Sequence, residues 1–242
     1  MNNFTKRVAG VVAGFAALSA ASVAMAQSVG VGGTIRLNDG PGSGPGGEFV
    51  ATVLSGGSGS FNTFCIEYNE YFSYGQTLRV QNISLGAVGG GVNVGPGGTA
   101  PSGGNPGYDP ISNQTAWLYT GFRNQWLPGY DFAGPASARQ SDANALQNAI
   151  WYLENEIGSV SGQAATWVSM ANYAVAHGFT NSNVRVLNLM RESVIGSGNF
   201  NTRAQDQLYI APVPEPETYM MLLAGLGLMG FVARRRRRET VI

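Results

Sequence analysis

The chain has 242 residues, 35 of them Gly, with 14 basic and 14 acidic side chains, one Cys and one His, and a pI near 6.6. Zero formal charge excludes nucleic-acid binding through bulk basicity, and a single Cys excludes an internal disulfide framework. One Cys with one His also leaves too few ligands for a Cys/His zinc centre.

The neutral total hides an uneven distribution. Lys6 is the sole lysine, and five of the 13 arginines form the block Arg234, Arg235, Arg236, Arg237 and Arg238. Between Gln27 and Pro212, seven Arg stand against eleven Asp or Glu, with no Lys. An acidic, lysine-free body therefore lies between two basic ends.

In chain order, residues 1–26 have the pattern of a secretory signal peptide. Lys6 and Arg7 supply the positive start, Val8 to Val23 a run of small and apolar residues, and Ala24-Met25-Ala26 a site for signal peptidase before Gln27. Residues 27–212 are the length of one exported domain. Its first half predicts strands at Val29–Leu37, Glu48–Leu54, Thr63–Tyr68 and Thr77–Ile83, with turns at Asn38–Gly47 and Ser55–Ser60. Gly86–Gly107, dense in Gly and Pro, predicts a long mobile loop. It lacks the Lys-Ser/Thr of a phosphate-cradling loop.

The period then changes. Gln114–Gln125 predicts a short helix. A second is capped at Ser141 or Asp142 and runs to about Ile157, with Leu146, Ile150, Leu153 and Ile157 as its apolar stripe. A third runs from Gly162 to His177, with His177 favourably placed at its C-terminus. Strands return at Asn183–Leu189 and Gln207–Ile210. The order predicts an α+β fold: a β-sandwich or barrel with an inserted helical segment.

Residues 213–242 form a third unit. Val213-Pro214-Glu215-Pro216 precedes an apolar run from Tyr219 to Ala233 and then the Arg234–Arg238 block. The run is read as a single membrane helix whose arginines hold its end on the cytoplasmic side. Pro214, Glu215 and Pro216, a hydrophobic helix and an Arg cluster together resemble the PEP-CTERM sorting signal of Gram-negative, exopolysaccharide-producing bacteria. The resemblance implies processing by an exosortase at Pro214-Glu215-Pro216. The precursor would be anchored in the inner membrane through the C-terminal helix, and the mature body would lie in the cell envelope or extracellular matrix.

Within the body, Phe64-Cys65-Ile66 lies in the strand-rich half, and Gln147-Asn148-Ala149-Ile150-Trp151 lies on the central helix. This pair resembles the thioester domains of bacterial surface adhesins. The resemblance implies an internal thioester between Cys65 and Gln147, formed with loss of ammonia. A thioester carbonyl is more electrophilic than an amide, and its leaving thiol has a pKa of only about 8.5. Such a bond persists only where water is excluded, and Phe61, Phe64, Tyr68 and Trp151 are the expected shield. An incoming amine or hydroxyl on a surface protein or exopolysaccharide would be acylated once, freeing Cys65. A lysine-free body suits that chemistry, since it holds no internal ε-amine to consume the bond.

The alternative is a non-reactive structural or carbohydrate-associated matrix protein in which Cys65 is a small buried hydrophobe. Gln114-Thr115-Ala116-Trp117 is a weaker candidate for the acyl partner, and Glu67, on the Cys65 face of an extended strand, is expected at a solvated edge. No catalytic triad, carboxylate dyad or dinucleotide fingerprint is visible, so no enzyme and no cofactor is expected. Asp39 and Asp109 stand among glycines without a spaced calcium-ligand motif, so no metal is expected either.

Overall fold

The computed structural model describes residues 28–44, 47–89 and 108–212, with 220, 223–227 and 229. Residues 1–26, expected as a signal peptide, most of the Gly/Pro-rich segment, Pro214-Glu215-Pro216 and the arginine block lie outside the described residues. Among the described residues no helix is long and apolar enough to cross a membrane, and only positions 220, 223–227 and 229 of the Tyr219–Ala233 run are described, as helix. The expected membrane helix is therefore not seen in the described residues.

The described residues of the body form eight strands and three helices: β1 (Ser28–Gly44), β2 (Gly47–Ser58), β3 (Ser60–Thr63), β4 (Thr77–Ser84), β5 (Gly86–Val88), β6 (Tyr108–Pro110), α1 (Asn113–Arg123), α2 (Ala136–Leu153), α3 (Gly162–Ala176), β7 (Val184–Glu192) and β8 (Phe200–Ile210). Six strands form one antiparallel sheet in the order β3-β2-β1-β4-β7-β8, and β5 pairs with β6. The helices are inserted between β4 and β7, neighbours in the sheet. This is a β-rich α+β fold, built on one main sheet rather than a sandwich of two.

The sheet's two edges are joined beyond β3. Leu208 N donates to Phe64 O at 3.0 Å, Ile66 N to Asp206 O at 3.3 Å, and Cys65 bridges Gln207. Those bonds satisfy backbone groups that an open edge would expose. They also set the site, because side-chain alternation sends Phe64 and Cys65 to opposite sides of the sheet.

Two cores result. Phe64, Leu118, Tyr119, Phe122, Leu146, Ile150, Trp167, Val186 and Leu208 pack together on the helical side. Ile35, Leu37, Phe61, Cys65, Trp151, Leu187, Leu189 and Tyr209 pack on the other. Residues 204–209 of β8 are buried without interruption, since both faces of that strand are covered.

Several boundaries differ from expectation for local reasons. β1 continues through the predicted turn to Gly44 because it stays paired with β2 across register shifts. Glycine permits the close approach: a Cβ on Gly33 would sit 2.6 Å from Ser55 O. α2 begins after Pro135, five residues before Ser141, and the Asp142 carboxylate instead accepts from Asp131 N at 2.8 Å. It ends at Leu153, short of Ile157, where Asn155 turns to φ 63°. The Thr63–Tyr68 strand stops at Thr63 apart from the Cys65 bridge.

One ion pair ties sheet to helix. Glu48, wholly buried, accepts from Arg139 Nη2 at 2.6 Å, Arg139 Nε at 2.9 Å, Tyr130 Oη at 2.9 Å and Asn62 Nδ2. Arg139 also donates to Phe132 O, so the guanidinium is fixed in plane.

Candidate functional site

Cys65 is 2% exposed, at the point where the sheet's edges meet. Its sulfur faces one glutamine and its backbone another. Gln147, on α2 and wholly buried, accepts from Cys65 N through Oε1 at 3.0 Å and donates from Nε2 to Cys65 O at 2.8 Å. The carboxamide thus mimics a neighbouring strand, completing the Cys65 peptide's hydrogen bonds. Gln207, on β8 and also wholly buried, places Nε2 3.3 Å from Cys65 Sγ. Its Oε1 is buried with no hydrogen-bond partner, an orphan acceptor of a kind that is rare in native interiors.

The structure therefore brings Cys65 and Gln147 together, with Gln147 held to the Cys65 backbone and Gln207 on the sulfur. Sequence patterning put Gln207 at the start of a closing strand and gave it no role. A signal was available: Gln205-Asp206-Gln207 is a polar triplet leading directly into the apolar Leu208-Tyr209-Ile210.

The expected shield is partly present. Trp151 packs in the same core as Cys65 and is covered by Tyr68, ring centroids 5.0 Å apart and nearly perpendicular. Phe61 and Tyr209 complete that side. Phe64 is wholly buried but belongs to the helical core, edge-on to Phe122, so alternation removes it from the sulfur's side. Gln114 donates to Asn172 rather than approaching Cys65. His177 is the C-cap of α3, its Nδ1 2.8 Å from Tyr173 O and its ring stacked on Tyr173.

Glu67 departs from expectation. It is 1% exposed, not at a solvated edge, because the chain after Cys65 turns under β8. Gln205 Nε2 holds its carbonyl at 2.7 Å, and Asp206 N lies 3.4 Å from its Oε2. Burial pushes the Cys65 thiol far above its ordinary range, the Gln207 hydrogen bond opposes this, and the Glu67 charge adds to it. A free thiol here stays protonated and is a poor nucleophile toward external reagents.

The body also holds carboxyls raised by burial. Glu154, bonded by Ser112 N and Oγ, is pushed up to about 7, and Asp109 to about 6 by burial and by the charge of Glu156. Because the folded state keeps protons that the unfolded state has released, stability falls as pH rises from the unfolded carboxyl range through about 7. Urea midpoints should therefore be higher at about pH 5 than at about pH 8 in metal-free buffer. A flat or rising profile contradicts that assignment.

Comparison with known proteins supplies the wider setting. Residues 212–238 match the PEP-CTERM protein-sorting motif. The chain is thus an exported, envelope-associated substrate of an exosortase. No curated protein and no solved structure matches the chain. The sorting motif covers the tail alone, so the body's chemistry rests on its own geometry.

Proposed function

We propose that this exosortase-sorted protein is a single-use covalent tether, in which Cys65 forms an internal thioester with Gln207 and Gln147 positions the cysteine. The observation that carries the reading is the Gln207 amide nitrogen 3.3 Å from Cys65 Sγ, in a buried setting where its carbonyl oxygen has no partner. Sγ attacks Gln207 Cδ, the C–N bond breaks, and the thiol proton leaves with the amide nitrogen as ammonia. The product is a thioester whose carbonyl oxygen is the former Oε1. A primary amine on a surface protein, or a hydroxyl of an exopolysaccharide, then attacks the same carbon. The C–S bond breaks, and the nucleophile's proton passes to sulfur.

The resemblance of the Phe64-Cys65-Ile66 and Gln147-to-Trp151 motifs to adhesin thioester domains supports the class of chemistry. The double hydrogen bond to the Cys65 peptide supports a positioning role for Gln147, since both polar atoms of its carboxamide are already engaged. The Trp151–Tyr68 pair supports exclusion of water.

Methylamine tests this. Under the proposal the mature body gains one methylamine at residue 207 and simultaneously exposes one thiol at Cys65. A protein that takes up no methylamine and has a titratable thiol on unfolding before treatment is instead a non-reactive matrix protein. The high thiol pKa favours that second reading if the bond is absent, because a buried neutral thiol is inert.

A further inference from the structure

We infer that Glu67, Glu70 and Asp206 form a calcium site beside the Cys65 strand. One carboxylate oxygen from each lies within 4.8 Å of the others. Two oxygens bound to one calcium ion at about 2.4 Å lie at most about 4.8 Å apart, so the cluster falls within the span calcium can bridge once the side chains adjust, whereas the roughly 2.1 Å bonds of magnesium demand a tighter one.

A second observation points to a ligand. Glu67 is 1% exposed, yet its Oε1 is buried with no donor facing it, and Glu70 Oε2 is likewise buried without a donor; the two carboxyls can bond to each other only by sharing a proton, whose place a cation would take. An acceptor oxygen in a protein interior without a donor costs about 1–3 kcal/mol or more when charged, and a cation satisfies both oxygens at once. Asp206 is held in place by donors on both oxygens: Asn188 Nδ2 and Val88 N donate to Oδ2 at 2.7 and 2.9 Å, and Leu189 N to Oδ1 at 2.8 Å. Oδ1 retains a lone pair for a metal. Arg203 offsets part of the charge on Glu70, but its guanidinium donates to Val88 O, leaving the three carboxylates undercompensated.

The fold assembles this cluster from distant sequence. Glu67 and Glu70 come from the loop after Cys65, while Asp206 sits where β8 slips register against β7. The protein's export adds a reason for calcium, because extracellular modules bind it with Kd values of about 0.1–1 mM. The inference stands independently of the thioester.

The test uses the mature body, treated with chelator and dialysed, at about pH 7.5. Calorimetric titration with calcium chloride should give one ion per chain with a Kd of about 0.1–1 mM. Thermal melts with about 5 mM calcium should rise by about 3–5 °C. Glu70→Gln, at the least buried ligand, should lose binding at least tenfold while the metal-free Tm is held or raised, since a repulsive charge has gone. Absence of any calcium-dependent shift, an equal response to magnesium, or unchanged affinity in Glu70→Gln overturns the proposal.

Discussion

Under the proposed thioester, Gln207→Ala should carry the full mass of its sequence, release one thiol on unfolding, and take up no methylamine. The reason is stoichiometric, because the acyl carbon is removed. Gln147→Ala has a different expected outcome. The Cys65 peptide loses two hydrogen bonds in a buried position, leaving its N–H and C=O unsatisfied. Bond formation then becomes slower and incomplete, but the fraction that forms still maps to residue 207. The two variants separate acyl donor from positioning residue. The reverse pattern, with the bond lost in Gln147→Ala and kept in Gln207→Ala, would return the acyl role to Gln147, the residue the helix motif suggests. Circular dichroism on both variants guards against loss of fold.

Arg139→Ala carries the largest expected stability effect, a loss of about 3 kcal/mol in urea unfolding. The guanidinium donates to both Glu48 oxygens and to Phe132 O, and Glu48 is wholly buried. Removing the cation takes both guanidinium bonds from a buried carboxylate that Tyr130 and Asn62 still contact. A double variant, Glu48→Gln with Arg139→Met, should lose less than Arg139→Ala alone, because an uncompensated buried charge costs more than the whole pair is worth. A double-variant loss equal to the sum of the two single losses would contradict this.

The sequence patterns revealed the site unevenly. Strand alternation and helical stripes located most elements, because burial on one face writes a period into the residues. α2 began earlier than expected because Ala136 to Gln140 carry no apolar stripe, and Pro135 was its only start signal. β8 was legible only at its end, Gln207–Ile210: Asn201 to Asp206 are mostly polar, yet 204–209 are buried on both faces. Periodicity does not report the polar first half of such a strand. Cys65 and Gln147 were legible as motifs, and the fold does bring them into contact. Gln207 was not, since only closure of the sheet puts it on the sulfur. The Glu67, Glu70 and Asp206 cluster was hidden for the same reason, two ligands being separated from the third by most of the domain.

The most direct test of the central claim is the intact mass of the mature body, unfolded without reductant or amine. The account predicts a chain lighter than its sequence by one ammonia, with no thiol available to alkylation until methylamine is added. A chain of full mass whose Cys65 alkylates on unfolding would contradict it.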